Sequence, residues 1–268
     1  MRTGQTARNW FIGLWTVLLL AKLVLAAHLP LFVDEAFYWQ EGQHLAWAYS
    51  DLPGLTAWLT RLGVAIGGDN TLALRAPFLL VAACLPWLVA RITAREFDPG
   101  QGWMAGIYAM LLPLLGTLGV LAVPDAAMTL ATLLCMDAGT RLLRGVTAGA
   151  AVELAVGLAI GGLSHYRFLA VIGVGFLALL LIPQGRRALG DPRVLIAMAF
   201  GAAAWKHVVG IGAVGAGCRG AIGQGRARAI AASRSLRWRF HLGLGAAALL
   251  TLFLAGAACS REFSLLFP

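Results

Sequence analysis

Residues 10–27 read WFIGLWTVLLLAKLVLAA, with Lys22 as their one charge. An apolar run of this length is what a helix needs to cross the ~30 Å hydrocarbon layer of a bilayer, about 20 residues. Lipid offers the backbone no hydrogen-bond partners, so a spanning segment must be a helix or part of a closed barrel. The apolar residues here are contiguous rather than alternating with period two, which selects the helix. Runs of the same kind recur at 72–90, 103–120, 126–143, 147–163, 168–182, 194–211 and 241–258. Of the 268 residues, 60% are hydrophobic and 12% charged, and mean hydropathy is +0.79. A soluble domain carries about 25% charged residues. The chain is therefore expected to be an all-α polytopic membrane protein with about seven to eight transmembrane helices. No small-residue cleavage site separates residues 10–27 from the acidic pair that follows, so they are read as a retained first span rather than a signal peptide.

The formal charge of +9 does not point to nucleic acid. Basic and acidic residues nearly balance up to Trp205, and the excess lies in 206–239, which holds Lys206 and six arginines but no acid. Elsewhere the basic residues act as topology signals. Arg2 and Arg8 precede the first span, Arg91 and Arg95 follow the second, Arg141 and Arg144 the fourth, and Arg186, Arg187 and Arg193 the sixth. All fall on one side if the N-terminus is cytoplasmic, leaving Arg61, Arg75 and Arg167 opposite. The loop at about 29–71, the turn Val123-Pro124-Asp125 and the turn Ser164-His165-Tyr166-Arg167 are then extracytoplasmic. Polar residues far apart in sequence converge on that face: Asp34, Glu35 and Asp51 from the loop, Asp125 from the second segment, His165 and Arg167 from the third. The surface expected around them is the inner membrane of a cell, with the lipid bilayer as the first partner.

Carboxylates beside a bilayer are costly and mark function more often than chance. Asp34 and Glu35 head an aromatic stretch, Phe37-Tyr38-Trp39, and residues 34–47 are expected to form an interfacial helix. Pro53-Gly54 breaks the chain before a second apolar segment, 55–62, expected to be another. Cys84, Cys135, Cys218 and Cys259 lie in apolar surroundings with no C-x-x-C spacing and are read as small buried residues. Gly210-Ile-Gly212-Ala-Val-Gly215 matches a dinucleotide fingerprint, but no acid follows before Glu262.

Five segments occur in order: Val33-Asp34-Glu35-Ala-Phe-Tyr38-Trp39, Tyr49-Ser-Asp51-Leu-Pro53-Gly-Leu-Thr-Ala-Trp58, Arg75-Ala-Pro77, Val-Pro124-Asp125 and Gly161-Gly-Leu-Ser-His165-Tyr166. Together, over about residues 9–205, they resemble the protein O-mannosyltransferase and aminoarabinose transferase group, glycosyltransferase family 39-like in the GT-C superfamily. The resemblance implies a GT-C-like bundle and transfer of a sugar from a polyprenyl-phosphate donor to a protein, lipid A or other glycolipid acceptor on the extracytoplasmic face. It implies Asp34 as the catalytic base and places Asp125 in the same cavity. Leu52 stands where many relatives have lysine, and Gly54 where many have a second proline. A lysine that could hold the lipid phosphate is thus missing, and His165 or Arg167 is the expected replacement.

Inverting glycosyl transfer needs a base for the acceptor hydroxyl and a counter-charge for the departing phosphate. Asp34 and Glu35 are the candidate catalytic pair. Each also suits the first turn of a helix simply as a cap. Candidate substrate-binding residues are Tyr38, Asp51, Asp125, His165, Tyr166 and Arg167. Asp125 doubles as a helix start, and Arg167 as an interfacial side chain whose guanidinium suits phosphate. The carboxylates are compatible with a divalent cation, but no ligand spacing demands one. Asp137 and Glu153 have no assigned role. A small transporter or flippase is the alternative, although transporters bury charge near the midplane of their spans. An inactive membrane protein is another.

The chain divides by composition into a GT-C-like domain at 1–205, a basic Gly/Ala-rich segment at 206–240 and a hydrophobic helix at 241–268. It is about half the length expected for such an enzyme. Residues after Trp205 are expected to be either truncated or frameshifted text, or an unusual basic loop.

Overall fold

The computed structural model describes residues 2–49 and 52–219, with side chains for 4–49 and 52–205. Asp51, most of the basic segment and the apolar run at 241–258 lie outside the described residues. The chain forms two compact units, Met1–Ala213 and Val214–Pro268, and the first holds nearly all the described residues. It is an all-α polytopic membrane protein, with no strand among the described residues. The helices are α1 (Arg2–His28), α2 (Val33–Gly42), α3 (Leu55–Gly67), α4 (Thr71–Glu96), α5 (Pro99–Leu111), α6 (Pro113–Thr117), α7 (Asp125–Arg144), α8 (Ala148–Ser164), α9 (Phe168–Leu181), α10 (Pro183–Leu189) and α11 (Pro192–Arg219).

Three described helices, α1, α4 and α7, are each long and apolar enough to cross a membrane, and the pair α9–α10, bent by 113°, makes a fourth if it is one span. The helices α3 and α8 and the stretch Pro192–Trp205 are shorter apolar segments. Around α4 the core joins Leu74, Phe78, Ala82 and Leu85 to Leu118, Ala122 and Ala126. Between α7 and α8 the contact runs through Ala138, Ala150, Ala151 and Leu154, with Val194 and Ala197 of α11. Alanines in such a seam let helices approach closely, which supplies packing where lipid gives no hydrophobic drive. Near the other end of α1, Phe11 packs with Trp87 and Trp103 at centroid distances of 4.8 and 5.1 Å.

The expected span at 103–120 is broken. The helix stops at Leu111 and Pro113 starts the short α6; proline has no N–H to continue a ladder. Residues 118–124 then run as irregular backbone over α4. Gly119 sits at φ +88°, and an added Cβ would lie 2.8 Å from the Phe78 carbonyl and 2.7 Å from Ala82 Cβ. Only glycine fits that conformation at that distance. Irregular backbone beside lipid must find partners within the protein. Lys22, the one charge of residues 10–27, supplies two of them: its Nζ donates to the Leu115 and Leu118 carbonyls at 3.3 and 2.9 Å.

The first loop holds two short helices, as expected, with different bounds. The first, α2, ends at Gly42 rather than reaching residue 47. The chain beyond it takes non-helical bonds: the Tyr49 hydroxyl donates to the His44 carbonyl at 2.9 Å and accepts from Ala46 N–H at 3.0 Å, while Trp58 Nε1 donates to the Ala46 carbonyl at 2.8 Å. Gly54 is the N-cap of α3, and a Cβ there would lie 2.5 Å from the Ala46 carbonyl, so the close approach needs glycine. Cys84 is exposed rather than buried, and Cys135 half-buried. Gly210, Gly212 and Gly215 lie inside the helix α11, not on a strand-to-helix turn.

Candidate functional site

The helix α2 divides its polar residues between two faces. Glu35, Tyr38 and Gly42 are buried, at three- and four-residue spacing, while Asp34 is exposed. Asp34 and Tyr38 are four apart, hence neighbours on the helix surface. The phenol of Tyr38 is pushed up from its ordinary pKa by burial, then by the negative charges of Asp34, Asp125 and Glu41; Arg167 acts the other way. Those charges come from α2, α7 and the turn before α9, so the structure brings Asp34, Tyr38, Asp125 and Arg167 into one electrostatic neighbourhood.

Asp125 opens α7 and Arg167 caps the start of α9. The Arg167 Nη2 donates to Asp125 Oδ1 at 3.4 Å, with side chains 25% and 33% exposed. His165 Nδ1 accepts the Arg167 backbone N–H at 3.0 Å, and Arg167 Nε approaches His165 Nε2 at 3.3 Å. A neutral imidazole accepts through one nitrogen only. The two contacts are therefore alternatives for one imidazole. Tyr166 stacks edge-on against Trp205 at 5.9 Å. Its ring and that of His165 lie 6.5 Å apart.

Glu35 differs from its neighbour Asp34. It is fully buried and forms a forked ion pair with Arg75, itself fully buried: Nε to Oε1 at 2.8 Å and Nη2 to Oε2 at 2.6 Å. Its Oε1 also accepts the Ala122 N–H at 2.8 Å, and its Oε2 the Phe32 N–H at 3.0 Å. The last bond is the return half of a capping box at the start of α2. Burial pushes the Glu35 carboxyl up, but the Arg75 hydrogen bonds and the two backbone N–H groups outweigh it and hold the pKa below the ordinary glutamate value. Arg75 stood in the sequence as an arginine on the disfavoured side of the membrane. Its burial had one signal, its position inside an apolar run.

At the opposite ends of α4 and α7 lies a second cluster. Asp137, fully buried, faces Arg91 at 3.1 Å and Arg95 at 2.7 Å; Glu153 faces Arg91 at 3.4 Å and pairs with Arg141, and Glu96 pairs with Arg144. Asp137 and Glu153, without a role from sequence, thus bind together the arginines read as topology signals. Among the described residues no three His, Cys, Asp or Glu side chains come together as a metal-ligand set. Asp51 lies outside the described residues.

The fold and these clusters define an all-α membrane protein with a mixed-charge site formed at one end of its spans by α2, α7 and the turn before α9. The family model for dolichyl-phosphate-mannose-protein mannosyltransferases matches residues 51–209, and the chain belongs to that family, of GT-C type. Arg75, Asp125, His165 and Arg167 lie inside the matched stretch; Asp34 and Glu35 precede it. The chain is also similar to the lipid A galacturonosyltransferase RgtD of Rhizobium johnstonii, 31% identical over 173 residues, which cover 63% of this chain and 36% of that protein. The match thus spans about a third of the relative's length. No solved structure matches the chain.

Proposed function

We propose that this chain is a membrane glycosyltransferase that moves a sugar from a polyprenyl-phosphate donor to a hydroxyl acceptor on the extracytoplasmic face of the inner membrane. The observation that carries this reading is the convergence of an exposed carboxylate, Asp34, with Arg167 and Asp125 around the buried Tyr38 phenol. Family membership supports the reaction class. A glycolipid acceptor is favoured over protein because the similar chain from Rhizobium johnstonii carries a lipid A activity in its name.

In the proposed reaction the acceptor hydroxyl oxygen attacks the anomeric carbon and its proton passes to Asp34. The bond between that carbon and the phosphate oxygen breaks, and the phosphate leaves with the electron pair. Arg167 stands as the counter-charge, since a guanidinium matches phosphate oxygens in pairs. Asp125 and His165 hold Arg167 in place, Tyr38 stays a neutral donor between the charges, and Tyr166 lines the approach; Asp51 stays a candidate substrate-binding residue on its sequence alone. The arginine distribution supports a cytoplasmic N-terminus.

The test is transfer of label from a panel of polyprenyl-phosphate sugars in membranes holding the full chain. Asp34→Asn is expected to lower kcat by about 100- to 10,000-fold, the usual worth of a positioned general base. Arg167→Ala is expected to lower turnover as well. Transfer unchanged by Asp34→Asn removes that residue as the base; no transfer by the unaltered chain from any donor sinks the reaction class.

A further inference from the structure

We infer that Glu35 and Arg75 form a sealed clamp that sets the relative position of Asp34 and Asp125 without either member touching substrate. This rests on the reaction proposed above. Its basis is a complete count of bonding capacity. A carboxylate offers about four lone-pair sites and a guanidinium five N–H donors. Glu35 receives four donors: Arg75 Nε and Ala122 N on Oε1, Arg75 Nη2 and Phe32 N on Oε2. Arg75 spends its remaining donors on carbonyls: Nη1 on Ala26 at 2.8 Å and Leu29 at 3.0 Å, Nη2 on Pro30 at 3.0 Å. Both side chains have zero exposure. No donor or acceptor remains to hold a ligand.

What the clamp joins gives it a role. The Arg75 carbonyl partners are the last turn of α1 and the link to α2. Phe32 is the N-cap of α2, so Glu35 fixes the start of the helix on which Asp34 is the second residue. Ala122, 87 residues further along the chain, lies three residues before Asp125 on the irregular backbone after α6. One carboxylate therefore ties the backbone bearing Asp34 to the backbone bearing Asp125, with α4 as the rigid post. A well-packed apolar pair in this place would cost no desolvation and often stabilises more. Direction is what the charged pair adds: forked bonds admit one geometry, and misplacing reacting groups by about 1 Å can cost 100-fold in rate.

Two readouts on the full chain in lipid nanodiscs test this. Amide exchange by mass spectrometry follows residues 118–125 and, as reference, 138–154; transfer from whichever polyprenyl-phosphate sugar of the panel proves active gives kcat and KM. For Glu35→Gln we expect exchange in 118–125 to speed by about tenfold or more, as for loss of a buried charged hydrogen bond, with 138–154 unchanged. We expect kcat to fall by about 100-fold while KM for the donor stays within about threefold, since binding contacts are untouched. If Glu35→Gln opens the whole protein, Arg75→Lys, which keeps the charge and loses the fork, carries the same expectations. Unchanged exchange in 118–125 overturns the clamp, as does faster exchange with unaltered kcat. A raised KM at preserved kcat also overturns it, by showing contact with substrate. If the unaltered chain transfers nothing, the reaction class fails on its own and exchange alone decides whether the clamp exists.

Discussion

The two ends of α4 treat arginine in opposite ways. At one end Arg75 is fully buried, meets a single carboxylate and has every donor used. Sixteen residues on (91 − 75), roughly 24 Å along the helix, Arg91 is 60% exposed and Arg95 29% exposed, both around Asp137. The exposed Arg91 is screened by water and salt, and the buried Asp137 keeps Arg95 if Arg91 is lost. Neither water nor salt reaches Glu35 and Arg75. The sealed end transmits position, because its bonds have no substitute, whereas the wetted end tolerates change and serves orientation and packing. Two charges sit well inside the spans, and each has its partners within the protein: Lys22 serves two backbone carbonyls and the buried Asp137 meets Arg91 and Arg95.

This contrast can be broken by substitution. The largest effect is expected at the sealed end. Arg75→Met strands the Glu35 carboxylate and should destabilise the protein by about 3–5 kcal/mol, the cost of leaving a buried charge unpaired, read by denaturant unfolding in detergent micelles. The same end should be acid-sensitive. A carboxyl whose folded pKa is depressed, as Glu35's is, contributes stability above its unfolded value near ~4.3 and loses it as pH falls through the lower folded value. Unfolding scans between neutral pH and about pH 3 should therefore show stability falling at the acid end, with Glu35→Gln flattening that fall. Gly119→Ala forces a side chain into positive φ against α4 and should cost roughly 1–3 kcal/mol. Lys22→Met, which frees the Leu115 and Leu118 carbonyls, should also cost about 1–3 kcal/mol. Arg91→Ala at the wetted end should change stability by less than about 1 kcal/mol. If Arg91→Ala proved as damaging as Arg75→Met, the distinction between the two ends would collapse.

Much of this was legible in the chain. The span at 10–27, the two short helices of the first loop, and the long apolar helices over 72–90 and 126–143 follow from apolar runs and their punctuation. The arginine pattern predicted that Asp34, Asp125 and Arg167 would share one face, and the charges acting on Tyr38 come from those residues. Other features had only a trace. Pro113 inside 103–120 is a cue for a broken span that the length of the apolar run hides. Lys22 was visible as a lone charge, but its carbonyl partners are 93 and 96 residues away. The residues alone do not separate the adjacent acids Asp34 and Glu35; only the resemblance singled out Asp34 as the base. A helix turns by about 100° per residue, so neighbours in sequence face different surroundings, and only packing against α4 decided which carboxylate was sealed.

The sequence by itself determined that this is an all-α membrane protein and which charged residues sit at which end of its spans, because hydrophobic length and positive charge act locally on each segment. The tertiary structure decided which of those charges are joined. Pairing Glu35 with Arg75 and Ala122 depends on α1, α2, α4 and the turn before α7 meeting at one point. Hydrogen bonds, unlike hydropathy, are properties of that meeting and not of any segment alone.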